Sequence, residues 1–152
     1  MLKKILLTLS LSSLSLFALD IGDKIPLEIQ NKLTLEQNQL YVLDFFASWC
    51  KSCKKELPLV SKVYNDKTVE VIGINVDKKK EAGEKFVKEL ALPFPIIYDE
   101  EKKLVETFNP LGFPAIYYVK NHKIIHVIFG AVDNIDEQIR LDVKEINNAK
   151  TN

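Results

Sequence analysis

The stretch LDFFASWCKSCKKELP, residues 43–58, holds both cysteines of the chain, Cys50 and Cys53, two residues apart. The apolar run that delivers them, Leu40 to Ala47, contains Val42, Phe45 and Phe46 and suits a strand buried on both faces of a sheet. From Cys50 the period changes. Cys53, Leu57, Val60 and Tyr64 recur at helical spacing, with Lys51, Lys54, Lys55 and Lys62 opposite or flanking. The chain therefore turns from strand into helix at the cysteines, and Pro58 is expected to kink that helix.

Working outward, Val69 to Val76 reads as a second buried strand that ends at Asp77. Ala82, Phe86, Val87 and Leu90 mark an amphipathic helix stopped by Pro93 and Pro95. Ile96 to Tyr98 is a short strand and Glu101 to Phe108 a short helix. The segment Asn109 to Pro114 breaks the chain before a hairpin, Ala115 to Val119 and Lys123 to Phe129, turning at Asn121-His122. His126 would share a strand face with Ile124 and Ile128, and Ile135, Ile139, Val143 and Ile146 form the stripe of a closing helix. A weak extra strand is expected near Ile25 to Ile29. Helices alternating with buried strands imply an α/β fold, a three-layer sandwich in which helices flank a mixed sheet.

The chain has 152 residues, 47% hydrophobic and 28% charged, which suits one globular domain. Its 21 basic and 21 acidic residues cancel, so no positive excess points to nucleic acid. At the N-terminus, Lys3 and Lys4 precede an apolar and Ser/Thr stretch from Ile5 to Leu19 that lacks a polar face. This pattern reads as a secretory signal peptide over residues 1–18, leaving a domain over 19–152, with an uncleaved membrane anchor as the alternative. Export puts the thiols where disulfides persist, in the periplasm or its extracytoplasmic equivalent.

A purely structural bridge between the two would be badly placed. Closing so short a loop stabilises by about 2 kcal/mol, against nearly 5 for a hundred residues. Structural zinc wants four ligands, and His122 and His126 lie far away in sequence, so no metal is assigned. Reactivity is the better reading. A helix N-terminus points unpaired N–H groups at the Cys50 sulfur, and Lys51 and Lys54 add positive charge, both of which favour the thiolate. Cys53, one turn later, can resolve a mixed disulfide that Cys50 forms with a substrate.

Asp44, alone within an apolar strand, is a plausible proton acceptor for Cys53, because desolvation raises its pKa. The alternative is a tilted strand on which Asp44 reaches solvent. Glu56, one turn beyond Cys53, is a second group able to tune the thiols, or else a solvated carboxylate paired with a lysine.

Trp49-Cys50-Lys51-Ser52-Cys53, between a buried strand and a helix and followed by a Phe-Pro loop before a hairpin, resembles the active site of the thioredoxin superfamily. The resemblance covers Ile25 to Asn147 and implies a thioredoxin-like fold. It further implies a cis Pro114 against the cysteines, with Trp49 and Phe113 contacting substrate and the Phe113 backbone pairing with it as an added strand. The extra strand and helix from Val69 to Leu92 and the run Cys-Lys-Lys-Glu-Leu-Pro resemble the exported TlpA/ResA-like branch. That branch reduces protein disulfides outside the cytoplasm, often those of apocytochrome c in cytochrome c maturation. It takes electrons from a membrane thiol transporter and uses a glutamate that matches Glu56. Two features depart from the branch: Asp44 resembles the buried acid of thioredoxin itself, and Phe113 is bulkier than the usual residue before the proline.

The resulting expectation is an exported thiol-disulfide oxidoreductase, monomeric and without cofactor, acting as a dithiol reductase. A dithiol oxidase or isomerase is the nearest alternative, since each pKa unit by which the fold favours the Cys50 thiolate moves the pair about 30 mV toward oxidant. A copper chaperone using Cys50, Cys53 and one histidine is the alternative from another class.

Overall fold

The computed structural model describes residues 18–149, so the expected signal segment lies almost wholly outside the described residues. The elements run α1 (Leu27–Leu33), β1 (Leu40–Phe46), α2 (Lys51–Asn65), β2 (Glu70–Asn75), α3 (Lys80–Glu89), β3 (Ile96–Tyr98), α4 (Lys103–Phe108), β4 (Ala115–Lys120), β5 (Lys123–Phe129) and α5 (Ile135–Asn148). The sheet order is β3-β2-β1-β4-β5. Strands β1, β2 and β3 are parallel, while β4 is antiparallel to both β1 and β5, so the sheet is mixed.

Strand β1 is central and every residue of it is buried. Its alternation divides the core. Leu40, Val42 and Phe46 join Cys53, Leu57 and Val60 of α2, Phe86 of α3 and Ile135 and Ile139 of α5. Tyr41, Leu43 and Phe45 pack on the other face with Ile29 and Leu33 of α1 and Leu104 and Phe108 of α4. Two apolar layers on one sheet make the three-layer sandwich expected from the sequence, and this is the thioredoxin-like fold.

The weak strand expected near Ile25 is instead the lead into helix α1. Ile25, Ile29 and Leu33, all buried, are four residues apart, which is helical spacing. Pro26, which cannot donate to a ladder, sits at the N-cap, where its missing N–H costs nothing. Only an isolated bridge, Lys24 to Lys123, remains of the strand. Pro58 is accommodated within α2 without ending it. A bulge in the hairpin pairs Tyr118 with His126 but Val119 with Ile124, so Ile125 is the extra residue. Ile124 consequently packs into the α1/α4 layer while Ile125 and Ile128 face the other, and His126 does not share a face with Ile124 as its spacing suggests.

Candidate active site

The site lies where β1 ends and α2 begins. The chain makes a turn in which the Cys50 N–H donates to the Ala47 carbonyl (3.1 Å), and Cys50 becomes the N-cap of α2. Its Sγ accepts a hydrogen bond from the Cys53 N–H (3.2 Å), so one otherwise unpaired helix donor points at that sulfur. The Ser52 hydroxyl lies 3.5 Å from the same atom. Cys50 and Cys53 form a disulfide, with Cα atoms 5.3 Å apart. Cys50 is 7% exposed and Cys53 fully buried, so only the first sulfur can meet a partner.

Asp44 occupies the β1 position between Val42 and Phe46 and so points into the α2 layer. It is buried, and neither carboxylate oxygen has a hydrogen-bond partner, which excludes the solvent-reaching strand. Burial pushes its pKa well above the usual carboxylate range, and the charge of Glu56 adds to the effect. Glu56 is likewise buried rather than solvated, and it makes no ion pair with a lysine among the described residues. Its Oε2 accepts the Val132 N–H (3.2 Å) ahead of α5, whereas Oε1 is unpartnered. Burial raises Glu56 to about 7, against the opposing pull of the Val132 N–H.

The Phe113-Pro114 bond is cis. Because Phe45 pairs with Ala115, the start of β4 adjoins the end of β1 and brings this loop to the cysteine end of the sheet. There the Phe113 ring meets the Trp49 indole edge-on, with centroids 5.8 Å apart. Trp49 is 65% exposed. The same register carries the Asn121-His122 turn to the opposite end, since Leu40 pairs with Lys120. His122 lies near the Leu35 carbonyl and His126 near Asp142 and Tyr118, so neither histidine completes a ligand set with the thiols.

One group of positioning residues escaped the sequence reading. The Asp77 carboxylate accepts the Ser48 N–H (2.9 Å) and hydroxyl (2.8 Å), and also the Asn75 side-chain amide (2.7 Å). Lys102 donates to the Val76 and Asp77 carbonyls at 2.7 and 3.0 Å. Together they pin the Ser48-Trp49 turn to the end of β2. The available signal was the polar pair Asn75 and Asp77 closing an apolar strand. Gly83 of α3 lies against the Asn75 amide, and a Cβ there would overlap it. Gly83→Ala is therefore expected to destabilise by about 1–3 kcal/mol, as overpacking does, read as a lower denaturation midpoint at unchanged slope.

A family model for the AhpC/TSA family matches residues 20–128. The chain belongs to that family, within the thioredoxin superfamily. Among curated relatives it is similar to thiol-disulfide oxidoreductase ResA of Bacillus thuringiensis subsp. konkukian (strain 97-27), 32% identical over 108 residues, covering 68% of this chain and 61% of the relative. The ResA of Geobacillus kaustophilus (strain HTA426) is 29% identical over 104 residues, covering 66% and 60%. The chain thus spans less than two thirds of the length of these relatives. Among solved structures, StoA from Bacillus subtilis superposes with a TM-score of 0.64 at 25% identity, over 71% of this chain and 84% of that one. A putative thiol:disulfide interchange protein DsbE from Chlorobium tepidum gives 0.67 at 24%, over 83% and 99%.

Proposed function

We propose that this protein is an exported thiol-disulfide oxidoreductase that reduces protein disulfides. The observation that carries the reading is the asymmetry of the pair: Cys50 is an N-cap sulfur held by a helix N–H, and Cys53 is sealed one turn behind it. The names of the ResA relatives and of the DsbE neighbour support it.

In the reduced enzyme the Cys50 thiolate attacks one sulfur of a substrate disulfide. The substrate S–S bond breaks, a mixed disulfide forms, and the departing sulfur takes up a proton. Cys53 then gives its proton to Asp44, whose raised affinity for protons suits that role, and Glu56 opens the carboxylate pair toward the cleft beside Lys51 and Lys55. The Cys53 thiolate attacks Cys50 Sγ, the substrate's second sulfur leaves and is protonated, and the Cys50–Cys53 disulfide remains. Two electrons pass from enzyme to substrate; of the two protons the substrate thiols take up, one balances the proton Cys53 gives to Asp44 and the other comes from solvent, and a membrane thiol transporter is the donor we favour for restoring the dithiol. Trp49, Phe113 and Pro114 form the substrate contact beside Cys50, and apocytochrome c, with its paired cysteines, is the favoured substrate. Residues 1–18 serve in this reading as the export signal.

The test is the reduction potential of the pair against glutathione, with turnover of a disulfide peptide by wild type and Cys50→Ser. A potential near that of thioredoxin, about −270 mV, with turnover abolished in Cys50→Ser, is expected. A potential near that of the oxidant DsbA, about −120 mV, assigns the oxidase reading instead.

A further inference from the structure

Two clefts are lined by the residues that flank Cys50 in the chain, one by those just before it and one by those just after it. The first, about 610 Å³, is lined by Ser48, Trp49, Lys78, Lys79 and Lys102 among others. The second, about 390 Å³, includes Lys51, Ser52, Lys55 and Asp133 in its lining. In a chain whose charges cancel, this concentration of lysine is local.

The ion pairs among the described residues lie elsewhere. Lys62 pairs with Asp136, Lys80 with Glu84 and Glu100, Lys85 with Glu89, and Lys103 with Glu28. Lys51, Lys55, Lys78 and Lys79 are exposed and make no ion pair among the described residues. The acids in the clefts do little to neutralise them. Asp77 is buried with both oxygens occupied by Ser48 and Asn75, and Glu56 is buried and accepts a backbone N–H, which leaves Asp133 as the exposed acid of the two linings. Trp49, which lines the first cleft with Lys78 and Lys79, is exposed and packs against Phe113, and Leu111 of the same loop is 85% exposed, which gives the lysines an apolar neighbour. Exposed apolar surface bordered by charge is the anatomy of a protein-docking patch, and uncompensated charge of one sign selects a partner of the other.

We infer that this surface docks a polypeptide whose oxidised cysteine pair is flanked by acidic side chains. The inference rests on Cys50–Cys53 being a thiol-disulfide exchange pair, and it adds the class of substrate. The clefts lined by the residues that flank Cys50 let aspartate or glutamate on both flanks of the target disulfide reach lysine while an apolar residue covers Trp49.

The test separates docking from chemistry. Trp49, the sole tryptophan, reports binding of synthetic peptides in which serines replace the two cysteines, with either acidic or basic flanks. At low salt the acidic peptide should bind about tenfold tighter than the basic one, and the preference should collapse at high salt. Lys78→Glu/Lys79→Glu should reverse the order, whereas Lys88→Glu/Lys144→Glu, which changes net charge equally at exposed lysines elsewhere, should keep it. Equal binding of the two peptides, no binding of either, or the same loss in both double variants overturns the inference. Reduction of a neutral-flanked disulfide peptide, measured separately, reports on the exchange reading alone: a preference without reduction leaves the docking surface standing and removes the reductase.

Discussion

Cys53→Ser is expected to accumulate covalent complexes with its substrates, visible as reductant-sensitive bands, while multiple turnover falls to background. Cys50 is the N-cap sulfur at the rim and remains able to attack, but the only group behind it is now a serine hydroxyl. The size of the effect follows from geometry. A well-oriented group one helical turn away acts at an effective concentration on the order of 10⁵ M, which millimolar external thiol cannot approach. An oxidase behaves differently, because its reactive species is the Cys50–Cys53 disulfide and this variant cannot form it. Capture would then depend on substrates oxidised by something else. Recovering no reducible complex from cells that express Cys53→Ser, while the purified wild type holds Cu(I) through both thiols, sinks the reductase reading and promotes the metal one. Where complexes do form, the flanks of the trapped cysteines also bear on the acidic docking preference.

The parts of the fold read correctly are those whose cause is local. The run Leu40 to Ala47 is apolar at every position but Asp44 because β1 is covered on both faces, and the switch of period at Cys50 reports the start of α2 directly. Local cause also explains the failure at Ile25 to Ile29. Over five residues an alternating pattern and a helical one share their apolar positions, and Leu33 must be included before the spacing of four emerges. The bulge that separates His126 from Ile124 has no local signature either, since it is set by how β5 meets β4.

At the site, the cysteines and cis Pro114 were legible, one pair by spacing and the other by resemblance. Asp77 was not, because its carboxylate acts on Ser48, 29 residues earlier in the chain. Glu56 stood between two readings that periodicity could not separate. It lies three residues after Cys53 on the edge of the apolar stripe, and its burial depends on α5 and the Val132 segment closing over it.

That closure sets up the second large effect, a loss of stability with rising pH that Glu56→Gln removes. The folded state holds the Glu56 proton up to about pH 7, whereas the unfolded chain releases it near 4.5. The folded pKa is raised, so the stabilisation from binding this proton is fully present below pH 4.5 and is lost as pH rises to about 7. A shift of this size corresponds to about 3 kcal/mol at full weight, and allowing for solvent reaching Glu56 through the cleft leaves about 2. Glutamine keeps an acceptor for the Val132 N–H and carries no charge, so its stability curve should run flat across this window. Asp44 adds to the slope in the same direction, since burial and the Glu56 charge both raise it. Asp44→Asn removes its own contribution and leaves that of Glu56, because the raised Asp44 carboxyl is still neutral when Glu56 ionises. Urea denaturation of the oxidised protein from pH 4 to 8, with the Cys50–Cys53 disulfide intact in every variant, measures all three curves. A wild-type curve already flat between pH 4.5 and 7 would show that Glu56 ionises freely in the folded state and would strip the carboxylate pair of its part in resolving the mixed disulfide.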